Sequence, residues 1–127
     1  MKKVLIADDV LGWQKFHAGT VIKVLGDNTY IDMVSSAAEA YEKILENINS
    51  PYDFVLTDMQ MEDDYSPKYA GEWLIEQIGT LSGYYKTKII IISATYNIRK
   101  IAESYGVDCI PKSTAATCLS AYEELLK

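Results

Sequence analysis

Apolar residues in this chain gather in short continuous runs, and each run stops at a polar side chain. Val4 to Ala7 ends at Asp8, Phe54 to Thr57 at Asp58, and Ile89 to Ile92 at Ser93; a weaker run, Val107 to Ile110, leads into Pro111 and Lys112. Such short, β-branched, nearly unbroken runs predict strands buried on both faces of a parallel sheet. Tyr30 to Val34 is amphipathic and predicts a strand nearer an edge. Between the runs the apolar period becomes helical. Trp13, Phe16, Thr20, Val21 and Val24 form one stripe, closed by Gly26. Ala37, Ala40, Tyr41, Ile44, Leu45 and Ile48 form a second, with Ser36 as N-cap and Glu39 as its capping-box partner. Trp73, Leu74, Gln77 and Ile78 make a third, and Asn97 to Tyr105 a short fourth ending at Gly106. Thr114 to Leu126 is the fifth, with Cys118, Leu119, Tyr122, Leu125 and Leu126 on its apolar face. Strand and helix alternate five times, which predicts a parallel sheet covered on both faces by right-handed crossovers.

The 127 residues make one domain, residues 1–127, and at 49% hydrophobic and 24% charged they exclude a disordered, collagen-like or membrane chain. The net charge of −6 argues against non-specific binding of nucleic acid or anionic lipid. Cys109 and Cys118 are too few for a disulfide framework and read as core thiols. The basic start is followed by an apolar run that Asp8 and Asp9 cut short, so no secretory leader is expected and the reading is cytoplasmic.

Chemistry enters at the strand ends. Open α/β sheets bind ligands beyond the carboxyl ends of their strands. Here that rim would carry Asp8, Asp9, Asp58, Ser93 and Lys112, with Asp53 at the opposite rim. Three clustered carboxylates repel one another, and a hard cation with oxygen ligands, Mg²⁺ or Mn²⁺, relieves that. No His/Cys cluster or Gly-rich phosphate loop suggests zinc or a nucleotide. A carboxylate beside such an ion and an ammonium is equipped to attack phosphorus. Lys112 and Ser93 would then stabilise the transferring phosphoryl group, and the product would be an aspartyl phosphate.

These pieces resemble the response-regulator receiver domain of two-component signalling, in its stand-alone, chemotaxis-regulator-like form. VLIADD is similar to the family's first strand with its acidic pair, FVLTDMQM to the phosphoacceptor strand, IIIISA to the strand bearing the switch hydroxyl, and CIPK to the strand bearing the lysine. The resemblance implies a flavodoxin-like (βα)5 three-layer sandwich with strand order 2-1-3-4-5. It implies Asp58 as phosphoacceptor, and a metal shell of Asp8, Asp9, Asp58 and the Gln60 backbone carbonyl. Ser93 and Lys112 would bind the phosphoryl group, while Gln60 and Thr95 would tune its lifetime. The donor would be a phosphohistidine on a sensor histidine kinase or histidine phosphotransfer protein, and the readout an unidentified downstream protein. The domain would catalyse only its own modification, as a monomer or a phosphorylation-dependent homodimer, either alone or cut from a longer chain. Two other classes fit the residues: a pseudo-receiver that binds partners without phosphorylation, and a small Mg²⁺-dependent phosphatase. The second lacks the acid usually found two residues past the nucleophile, where Gln60 stands. A flavin module of the same fold is disfavoured by the carboxylates closing the first strand.

The sequence departs from the family in five places, the first being Val10 after the acidic pair, where a polar residue is common. Glu62 stands where a proline usually follows Met61, and Ser113 stands where one usually follows Lys112. The stretch from Asp58 to Gly71 is longer than usual, and Glu62, Asp63 and Asp64 in it read as an exposed acidic loop, residues 62–68. Cys109 replaces an aromatic switch residue, so Tyr96 or Tyr105 is expected to fill the space. His17 reads as a surface or partner contact, Trp13 and Trp73 as packing residues, and the ten tyrosines show no platform.

Overall fold

A computed structural model describes all 127 residues. Five parallel strands form one sheet: β1 (Lys2–Ala7), β2 (Thr29–Val34), β3 (Phe54–Thr57), β4 (Lys88–Ser93) and β5 (Asp108–Pro111). Their spatial order is β2-β1-β3-β4-β5, as expected. Ala7 pairs with Thr57, so Asp8 and Asp58 emerge side by side from adjacent strands, and the Asp58 N–H bonds the Ala7 carbonyl at 2.9 Å.

The two-residue period of the strands divides the interior. Leu5, Ala7 and Val55 face α2 (Ala37–Glu46) and α3 (Ala70–Gly79), packing with Ala40, Ile44 and Leu74. Val4, Ile6, Leu56, Ile90 and Ile92 face the other way, against α1 (Leu11–Leu25) and the C-terminal helices. Ile91 packs with Ile98 and Ile101 of α4 (Ile98–Tyr105). Each fully buried Ile or Leu contributes roughly 1.5–3 kcal/mol, which is why strands this short persist. No helix is long and apolar enough to cross a membrane.

The predicted helices form with three changes. First, α1 turns its buried face to Gln14, His17, Thr20 and Val21, leaving Phe16 40% exposed. Second, Ser36 caps α2 by accepting the Glu39 N–H at 3.1 Å, but Glu39 reaches back to the Ser36 hydroxyl rather than to its backbone. Third, the fifth helix is two: α5 (Lys112–Ala115) and α6 (Leu119–Leu125). Cys118 between them is extended, with φ −131° and ψ 93°. The Thr114 carbonyl accepts both the Thr117 and Cys118 N–H groups and closes the first turn, and Thr117 Oγ1 donates back to the Ser113 carbonyl. Side-chain hydroxyls that compete for local backbone groups weaken a helix here. The break leaves Cys118 only half-buried and Leu119 46% exposed, against the expected apolar face.

Candidate functional site

Asp8, Asp9, Asp58 and Lys112 meet at the carboxyl rim. One carboxylate oxygen from each aspartate lies within 4.8 Å of the others. Lys112 Nζ stands 2.8 Å from Asp58 Oδ2 and 3.1 Å from Asp8 Oδ2. Local geometry fixes the Asp58 carboxylate: the Met59 N–H donates to Asp58 Oδ1 at 2.7 Å and the Gln60 N–H at 3.4 Å. The glycine at 71 is required by this backbone, since a Cβ there would fall 2.3 Å from the Asp58 carbonyl oxygen. The Gln60 side chain is exposed.

Asp8 is 1% exposed. Its Oδ1 accepts the Val10 N–H at 2.9 Å, while its Oδ2 is the one buried side-chain polar atom without a hydrogen bond of good geometry. Burial opposes the Asp8 charge, but His17, the Val10 N–H and Lys112 outweigh it and hold its pKa below the ordinary value. Asp9 goes the other way: burial first, then the charges of Asp58 and Asp8, push its pKa up. Burial likewise opposes the Lys112 charge, but Asp58 and then Asp8 raise its pKa. One ammonium thus bridges two of the three carboxylates. An all-oxygen cluster with a spare buried oxygen suits a hard divalent cation and offers nothing to a thiophilic one.

Ser93 ends β4, buried, with its Oγ 2.8 Å from Thr95 Oγ1 and accepting the Thr95 N–H at 3.2 Å. Ser93, Thr95 and Lys112 line one cleft of about 660 Å³, with Arg99 and Lys100 on its α4 side. Cys109 is not part of this rim. It is half-buried beside the Ile91–Ile98–Ile101 cluster, and burial pushes its thiol pKa up. Tyr105 packs on the same cluster, whereas Tyr96 is fully exposed and fills no gap.

Two residues have roles that the sequence reading did not assign. His17 is 2% exposed, not a surface contact. Its Nδ1 lies 2.8 Å from Tyr122 Oη, and its Nε2 lies 3.7 Å from Asp8 Oδ2. The signal was the spacing of Gln14, His17 and Val21, which makes a buried stripe only if polar members are admitted. Glu62 is not a free loop acid: its carboxylate accepts the Ala37 N–H at 2.8 Å and the Ala38 N–H at 3.1 Å, at the start of α2. Anions are favoured at that end of a helix. Nothing local in the sequence could reveal a contact across 25 residues. Asp63 and Asp64 are exposed, as expected. Trp73 is packing, stacked on Tyr65 at 4.5 Å between ring centres. Trp13 stacks on His17 and also lies under Lys112, whose Nζ is 5.1 Å from the ring centre.

No protein-family model matches the chain, and neither does any curated protein. Solved structures do match. The response regulator RcsB of Salmonella typhimurium superposes with a TM-score of 0.73 at 17% identity, over 98% of this chain and 59% of that one. The present chain therefore spans under two thirds of RcsB. The chemotaxis response regulator CheY4 of Vibrio cholerae gives 0.68 at 18% identity, over 95% and 98% of the two chains. The response regulatory domain of protein mrkE from Klebsiella pneumoniae gives 0.76 at 16% identity, over 98% and 94%. The fold is that of response-regulator receiver domains.

Proposed function

We propose that this chain is a phosphorelay receiver in which Asp58 accepts a phosphoryl group from a phosphohistidine. The observation that carries this reading is Asp58 beside Lys112 at 2.8 Å within a cluster of three aspartates. An Asp58 carboxylate oxygen attacks phosphorus, the P–O bond forms as the P–N bond breaks, and the imidazole leaves with its electron pair. Asp8, Asp9, Asp58 and the Gln60 carbonyl would hold Mg²⁺ or Mn²⁺. Such a cation, when bound, supplies positive charge against the phosphoryl oxygens. Lys112 keeps its charge, turns from the Asp58 carboxylate to the phosphoryl oxygens and neutralises the charge that develops there. Ser93 exchanges its bond to Thr95 for one to the same group.

The donor is a sensor histidine kinase or a histidine phosphotransfer protein, and the setting is cytoplasmic. Phosphorylation shifts the population of two conformations that an output protein distinguishes. The domain works as a switch without turnover of other substrates. Intact-mass measurement after treatment with a small phosphodonor in Mg²⁺ tests this. One added phosphoryl group is expected, and none in Asp58→Asn. Label persisting in that variant places the acceptor elsewhere. No label on the unaltered chain favours the pseudo-receiver.

A further inference from the structure

The buried pair beneath Asp8 is not needed to fill space, since two apolar rings would do that without carrying polar atoms inward. Its hydrogen-bond logic is directional. Tyr122 is 1% exposed, and burial raises its phenol pKa, so the hydroxyl keeps its proton. A buried hydroxyl must donate somewhere, and the one partner within reach is His17 Nδ1 at 2.8 Å. Nδ1 is therefore the acceptor, and in the neutral ring the proton sits on Nε2. That N–H faces Asp8 Oδ2 at 3.7 Å, the same oxygen that lacks a good hydrogen bond.

Resting on the function proposed above, we infer that His17 is a positioning residue for Asp8, locked in its Nε2–H form by Tyr122 of α6. While Lys112 is shared between Asp58 and Asp8, the 3.7 Å gap is tolerable. When a bound cation or the phosphoryl group draws Lys112 away, Asp8 Oδ2 loses its ammonium, and His17 is the remaining donor facing that oxygen, while the Val10 N–H holds the other. The same link ties the cation site to the C-terminal helix, 105 residues away in sequence from His17. Groups that orient a ligating side chain typically change metal affinity by 10–100-fold.

Calorimetric titration with Mg²⁺ tests this on the full chain, with melting in the absence of Mg²⁺ to verify folding. His17→Phe and Tyr122→Phe should each weaken Mg²⁺ binding by roughly tenfold, the lower end of that range. The double variant should bind no more weakly than His17→Phe alone, because Tyr122 acts through His17. His17→Gln, whose terminal amide reaches the position of Nε2, should recover most of the affinity. Hydrogen exchange should show α6 responding to Mg²⁺ in the unaltered chain and not in Tyr122→Phe. Unchanged affinity in both single variants, losses that multiply in the double, or no recovery with Gln would each overturn the inference. Absence of Mg²⁺ binding to the unaltered chain would overturn the reading of the site and this inference with it.

Discussion

The two rims of the sheet carry similar chemistry with opposite outcomes. At the amino ends, Lys3 Nζ donates to Asn47 Oδ1 at 2.7 Å and lies 5.1 Å from the centre of the Tyr52 ring. The Lys3 N–H goes to Asp53 Oδ2 at 2.8 Å, and Tyr52, just before β3, donates its hydroxyl to Asp32 in the middle of β2. Carboxylates, an ammonium and a phenol are all matched there. At the carboxyl ends one ammonium bridges two of three clustered carboxylates, and the buried Asp8 Oδ2 has no hydrogen bond of good geometry. The fold tolerates both arrangements, so the imbalance at the second rim is not a packing accident. Natural proteins break local consistency mainly at functional sites. The matched rim stabilises the fold; the mismatched one leaves a carboxylate cluster that the proposed cation would complete.

The strongest way to break this contrast is Lys112→Met. It leaves Asp8 and Asp58 without their shared cation, so denaturant unfolding in metal-free buffer should show a loss of about 3 kcal/mol. Mg²⁺ at a hundred times its dissociation constant should return about 2.7 kcal/mol. Equal Mg²⁺ independence at both rims would end the comparison. The same lysine sets an alkaline limit. Its raised pKa means that its contribution is complete below the ordinary 10.5 and is lost as pH climbs through the higher folded value.

At the matched rim, Tyr52→Phe should cost about 2 kcal/mol through the lost bond to a charged partner. Mg²⁺ should not alter that loss. Smaller is Glu62→Gln, expected to cost about 1 kcal/mol by weakening the anion at the start of α2; faster hydrogen exchange at Ala37 and Ala38 would report it. Smallest is Asp9→Asn, with a metal-free gain on the order of 0.5 kcal/mol for an exposed, screened group. Ionising Asp9 costs stability because its pKa is raised, so the gain should appear as pH rises past the ordinary 3.8 and vanish below it. In Mg²⁺ the sign should reverse, because the variant loses a ligand.

The strand cores, and the placement of Asp8, Asp58, Ser93 and Lys112 at one rim, were legible because each is local. A buried parallel strand needs an unbroken apolar run, and the polar residue closing it must lie on the rim. The strand order came with the family resemblance and holds. His17 and Glu62 escaped because their partners are remote in sequence and because a polar residue on an amphipathic helix or in an acidic loop has no local mark of burial. The break at Cys118 escaped for a subtler reason: Ala115, Tyr122 and Leu126 are all buried at helical spacing, so the period runs on across a turn where the Thr117 hydroxyl bonds the backbone.

Lys112 above the Trp13 indole has an optical consequence. A cation against an aromatic face is held by the ring's charge distribution, and it perturbs the excited state of that ring in return. Trp73 is the only other indole in the chain and is enclosed by Tyr41 and Tyr65, so a phenylalanine there would leave Trp13 as the sole indole emitter. Its colour and intensity would then follow the position of a single ammonium. The molecule carries a built-in gauge of whether Lys112 is resting between two carboxylates or has been drawn elsewhere, readable in stopped flow without any attached dye.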